Sequence, residues 1–104
     1  MQIFKEPVQF EWDEGNRHKN VRKHRVTNEE CEEVFFDPHK RMVGQPVYHI
    51  GEARYLLIGR TRQQRLLFVV CTVRRSAVRV ISARDLNHKE RHLYEQAIKD
   101  SAFS

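Results

Sequence analysis

Cysteine is scarce: two residues, Cys31 and Cys71, stand far apart in a chain of 104, each inside an apolar pattern. No Cys-x-x-Cys pair occurs, which argues against a zinc ribbon. Both thiols are expected to be buried in a cytosolic protein, with a disulfide between them as the alternative. Four glycines and three prolines leave no Gly-rich phosphate loop and no G-x-S-x-G elbow, so a nucleotide-binding enzyme and a serine hydrolase are both disfavoured. No apolar run approaches the roughly 18 residues that a membrane helix needs. Met1 to Glu6 lacks the apolar core of a secretory signal, so a cytoplasmic chain without a membrane partner is expected. There is no internal repeat, linker or low-complexity segment, and residues 1–104 are expected to form a single domain.

Charge, by contrast, is plentiful. Apolar residues at 39% against charged residues at 32% make a globular balance rather than a disordered one. Lys plus Arg total 19 against 14 acids, for a net charge of +5 and a pI near 9.6. Such a balance suits a polyanionic partner, most often nucleic acid, and equally a solvated basic surface. It concentrates in two places: Arg17 to Arg25, and a set of arginines between Arg54 and Arg84.

That second stretch organises the chain. Leu66 to Cys71 is apolar without a break, which predicts a central strand covered on both faces. Arg54–Gly59 precedes it and Val78–Arg84 follows it across short polar loops, so the three are expected to be antiparallel neighbours. Gln9 to Trp12 alternates as a short edge strand or an extended lead-in. Asp13 reads as the N-cap of a helix running to His24, docked by Trp12, Val21 and long side-chain stems. Acids at its start and cations at its end suit the helix dipole, which is itself a structural explanation of the basic cluster. Thr27 with Glu30 forms a capping box, flanked by Val26 and Cys31 at the staple positions. Cys31, Val34 and Phe35 make an apolar stripe, and Asp37-Pro38 ends the element. Arg41 to Gly44 can be a short strand. Asn87 with Glu90 repeats the cap and opens a last helix, with Leu93, Ala97 and Ile98 as its buried face and Ser101 to Ser104 as a frayed tail. The sum is a small α+β layer, helices packed on one sheet.

Six histidines invite a metal. His88 and His92 share a helix face, but Lys89, Glu90 and Arg91 lie between them, so the H-E-x-x-H arrangement is absent and two cations repel a divalent ion. No cofactor and no metal site are expected. What remains is cationic and imidazole chemistry: Lys23 and His24 near the first helix end, Glu52 and Arg54 at the opening of the sheet, Arg79 and Arg84 on its third strand. These types supply what RNA cleavage without a metal requires. A base takes the proton of the 2′-hydroxyl, an acid protonates the departing 5′-oxygen, and cations stabilise charge on phosphorus. Arg79 and Arg84 can equally be salt-bridged to helix acids.

The sequence resembles the BrnT toxins of bacterial type II toxin–antitoxin systems. The resemblance lies in Phe10-Glu11-Trp12-Asp13, Asn20, Lys23-His24, Phe35 and Asp37, then in Glu52-x-Arg54-Tyr55, Gly59, Val69-Val70 and Thr72. It closes with Arg79-Val80-Ile81-Ser82-Ala83-Arg84, Glu90-Arg91 and Tyr94. It spans roughly residues 10 to 95. The likeness implies a RelE-like fold and a metal-independent endoribonuclease that inhibits translation. It also implies neutralisation by a BrnA-like ribbon-helix-helix antitoxin in a hetero-oligomer that meets operator DNA only through that antitoxin. The alternative is a catalytically weak relative acting mainly as an antitoxin-binding co-repressor. Carried over residue by residue, His24 would be general base or acid, since imidazole changes protonation near neutrality; its structural alternative is a helix C-cap. Lys23 would neutralise phosphate, and Glu52 would accept a proton or orient an arginine. Arg54, Arg79 and Arg84 would bind the scissile phosphate and its neighbours. Tyr94 and Trp12 read as core. Two departures stand out: Arg17 where the family tends to have Lys, and Arg25 where it usually has Gly. The latter marks a position that can require positive φ.

Overall fold

A computed structural model describes Phe4 and residues 8–102 of the chain. Elements follow in the order β1 (Gln9–Phe10), α1 (Lys19–His24), α2 (Asn28–Val34), β2 (Arg41–Met42), β3 (Val47–His49), β4 (Glu52–Arg60), β5 (Leu66–Arg74), β6 (Ala77–Asp85) and α3 (His88–Ala102). The main sheet runs β1-β6-β5-β4-β2, with β3 pairing the first part of β4. All pairings are antiparallel except β1 with β6. The architecture is α+β, three helices with a six-stranded, mostly antiparallel open sheet.

The three long strands occupy the expected positions and extend further, nine residues each. β5 and β6 join through Arg75 and Ser76, both at positive φ (52° and 69°), the backbone that a two-residue hairpin needs to match strand twist. Leu67, Val69 and Cys71 are fully buried beneath α2, together with Val34, Phe35, Leu57, Val80 and Ala83. On the opposite face Leu66, Phe68 and Val70 are only half-buried. The unbroken apolar run therefore does not mean equal cover on both sides. α3 packs at one end of that second face, where Tyr94 and Leu86 meet Ile58, with Leu66 and Phe68 beside them. Leu56, Val70 and Ser82, farther along, stay half-exposed.

Both cysteines are free and buried in the first core, where desolvation pushes each thiol up to about 12. The Thr27–Glu30 capping box forms as expected, with Val26 and Cys31 buried around it. Asn87 and Glu90 exchange the same reciprocal bonds, each 2.9 Å, at the start of α3. Two helix expectations are corrected. Ala97 and Ile98 are half-buried on α3 as expected, but the third member of its face is Tyr94 and Leu93 is exposed, because the Tyr94–Ile98 i, i+4 pair follows Leu86 onto the sheet. Ser101 and Ala102 belong to α3 rather than to a tail; residues 103 and 104, like most of residues 1–7, lie outside the described set.

Asp13 does not cap α1. It opens a turn in which the Gly15 N–H donates to Asp13 Oδ1 at 2.8 Å and the Asp13 N–H donates to Asn16 Oδ1 at 2.8 Å, so the helix begins only at Lys19. Val21 is exposed and contributes no docking. Two buried asparagines dock the segment instead: the Asn16 amide donates to the Val80 carbonyl at 3.0 Å, and Asn20 Oδ1 accepts from the Ala83 N–H at 2.9 Å. β1 pairs β6 only at Ala77 and Val78. Beyond that point these side chains occupy backbone groups that a further strand would have taken.

Candidate functional site

Alternation along the strands decides where the arginines of the sheet point. Tyr55, Val78, Val80 and Ala83 all pack in the core under α2. Their neighbours Arg54, Arg79 and Arg84 therefore project from the opposite face, the one that α3 covers only at one end. Arg84 confirms this placement by lying 4.4 Å above the Phe68 ring. Thr72 pairs with Arg79 across the β5–β6 ladder, and Arg54 immediately precedes the Tyr55–Cys71 pair on β4. Two strand spacings put the Arg54 and Arg79 backbones about 10 Å apart. Arg84 sits farther along β6, roughly 15 Å from Arg79 at the ordinary rise per residue.

Most of these side chains are already engaged. Arg79 donates to Asp13 at 2.7 and 2.8 Å and to Glu11 at 3.1 Å. Arg84 makes a bidentate pair with Glu90 at 2.8 and 2.9 Å. Glu52 accepts two bonds from Arg74, at 2.7 and 3.2 Å. The hydrogen bonds from Arg74 hold the Glu52 carboxyl below its ordinary range, and those from Arg84 do the same for Glu90. Arg79, with help from the Gly15 N–H, brings Asp13 down to about 2. Arg54 differs: its Nε is buried and has no hydrogen-bond partner among the described residues.

Lys23 and His24 stand elsewhere. Both are exposed, on the last turn of the six-residue α1 beside β6. The helix ends through Arg25, at φ 55°: its N–H donates to the Val21 carbonyl, and the Val26 N–H donates to the Asn20 carbonyl. The cap is therefore formed by backbone, not by the imidazole. The positive φ implied by the Gly-to-Arg departure is present, and an arginine bears it. Arg65 locks this corner. It pairs with Asp85 at 2.8 Å and with Glu30 at 3.1 Å, and it donates to the carbonyls of Arg25 at 2.9 Å and His24 at 3.2 Å. His24 thus lies at the Asp85 end of β6. Glu52 lies across from Arg74 at the other end, about 25 Å away along the strands. One group, Glu52, Arg54 and Arg79, is gathered at one end of the open face; Arg84 and His24 stand at the other.

Arg65, Asn16 and Asn20 were not singled out from composition or spacing. Arg65 sits in a polar loop between strands, where nothing local distinguishes a hub from a solvated cation. The signal for the asparagines is faint: polar residues in a segment with a single aliphatic side chain must dock through hydrogen bonds if they dock at all.

The family model described as "Ribonuclease toxin, BrnT, of type II toxin-antitoxin system" matches residues 12–90. The chain belongs to the BrnT family. The match takes in Asp13, α1, both ends of the open sheet face and Glu90. Membership makes this chain a ribonuclease toxin of a type II toxin–antitoxin pair, which implies an RNA target and a protein antitoxin. No curated protein matches this BrnT-family chain. No helix among the described residues is long and apolar enough to cross a membrane.

Proposed function

We propose that the chain is a metal-independent endoribonuclease that inhibits translation by cutting RNA through 2′-hydroxyl attack. The 2′-oxygen bonds to phosphorus as it loses its proton, the bond to the 5′-oxygen breaks, and that oxygen is protonated as it leaves. The products are a 2′,3′-cyclic phosphate and a 5′-hydroxyl. RNA lies along the open sheet face, with phosphates on Arg54 and Arg79 at one end and on Arg84 at the other. His24, with Lys23 beside it, exchanges protons at the Asp85 end, and Glu52 orients Arg74 rather than serving as a base. The observation that carries this reading is the common face shared by Arg54, Arg79 and Arg84, which α3 covers only at one end. The family likeness extends the proposal to a RelE-like fold, a BrnA-like ribbon-helix-helix antitoxin and operator contact only through that partner.

Induction of the chain alone in bacteria tests it. Growth should arrest and transcripts should fragment, with cleavage by purified protein surviving EDTA. His24→Ala should cut the rate by about 10²–10⁴, the usual worth of a positioned acid or base, and Arg84→Ala should also relieve arrest. Full toxicity in His24→Ala would remove the imidazole from the mechanism, and loss of cleavage in EDTA would replace it with a metal nuclease.

A further inference from the structure

Arg79 is held by more than a surface ion pair. Asp13 takes the end-on fork, Oδ2 lying 2.7 Å from Nη1 and Oδ1 2.8 Å from Nη2, while Glu11 accepts from Nη1 at 3.1 Å. The guanidinium side chain is only 13% exposed. Asp13 is itself fixed by the Gly15 N–H and by the Asn16 side chain, which is tied in turn to Val80 of the neighbouring strand. A Cβ at residue 15 would stand 2.9 Å from Arg79 Nη2, too close for a carbon, so a side chain there would push the guanidinium aside. A guanidinium carries five N–H donors. Three are used here, which leaves Nε–H and the outer Nη2–H without partners among the described residues. Those two form the side-on fork, a parallel pair of donors matched to two phosphate oxygens.

We propose that Glu11 and Asp13 are positioning residues that present the side-on fork of Arg79 to a phosphate of bound RNA, with Gly15 leaving room for the guanidinium. The inference rests on RNA lying across Arg54 and Arg79, as proposed above. Its sign is diagnostic. By charge alone each carboxylate repels RNA, so neutralising one would tighten binding. Under positioning, neutralising one loosens binding, because an unpinned arginine must be ordered anew each time it meets a phosphate.

The test measures binding of a short 2′-O-methyl oligonucleotide, which lacks the attacking hydroxyl, to the full chain over a range of salt concentrations. Arg79→Ala should weaken binding several-fold and lower the slope of log K against log salt by about 0.7, one single-strand phosphate contact. Asp13→Asn and the charge-neutral Gly15→Ala should each reproduce that loss of slope and add nothing in an Arg79→Ala background. A defect that only lowers the folded fraction scales the binding constant without altering the slope. Should Asp13→Asn fail to fold, Glu11→Gln replaces it. Tighter binding by the carboxylate variants, or an unchanged slope in them beside a reduced one in Arg79→Ala, overturns the positioning role and leaves the sheet-face reading intact. An unchanged slope in Arg79→Ala itself overturns both.

Discussion

On the sheet, Arg74, Arg79 and Arg84, and Arg65 in the loop that enters it, each hold a carboxylate at 2.7 to 2.8 Å. On α1, Lys19, Arg22 and Lys23 are exposed and make no ion pair among the described residues. Composition treats the two sets as one basic excess, yet they work differently. Around Arg79 the carboxylates of Glu11, Asp13 and Glu52 are engaged by Arg79 and Arg74, so that end of the sheet carries fixed geometry and little excess charge. The uncompensated charge of the +5 chain is carried largely by α1. Long-range attraction of a polyanion should therefore come from the helix, and orientation of a phosphate from the sheet.

The largest effect that would sharpen this contrast lies at Arg65. All five of its N–H donors are used, on Asp85, Glu30 and the carbonyls of His24 and Arg25. Arg65→Ala should cost about 2–3 kcal/mol in urea unfolding, because it strips partners from the partly buried Glu30, from Asp85 and from the end of α1. A cost below about 1 kcal/mol would class the sheet pairs with ordinary surface bridges. Acid should come next. Asp13 titrates at about 2 in the fold against an ordinary 3.8, and Arg65 holds Asp85 below its usual range. A depressed carboxylate contributes stability that is complete above its unfolded pKa and lost as pH falls through the folded one. Thermal midpoints should therefore drop from about pH 4 toward pH 2, and Asp13→Asn should flatten part of that fall.

A smaller change of opposite sign is expected at Arg25. Glycine adopts its φ of 55° without a Cβ penalty, while the bonds there use only backbone atoms of residue 25. Arg25→Gly should stabilise by about 0.5–1 kcal/mol. Least of all, Lys19→Ala and Arg22→Ala should move stability by less than about 0.5 kcal/mol while slowing RNA association in low salt by stopped flow. Equal rates in both variants would take the steering role away from α1.

The long strands were legible because apolar residues cluster at 54–59, 66–71 and 78–84, and the capping boxes at Thr27 and Asn87 because their chemistry is local. The start of α1 was not. Asp13 has the identity of a cap, but its partner is Arg79, distant in sequence, and no window of neighbouring residues contains that information. Burial of Leu66 to Cys71 failed for a related reason: an apolar run measures cohesion, not how far α3 reaches along the second face. Of the candidate site, the residue types were readable and their grouping was not. Glu52 keeps company with Arg74, Arg54 and Arg79 rather than with His24, an outcome of strand register alone.

The two asparagines that fasten α1 to β6 have one more effect. A bare outer strand exposes a row of amide and carbonyl groups on which another chain can grow. Here Val80 and Ala83 spend theirs on side-chain amides, so on this flank copies of the chain have little to polymerise upon.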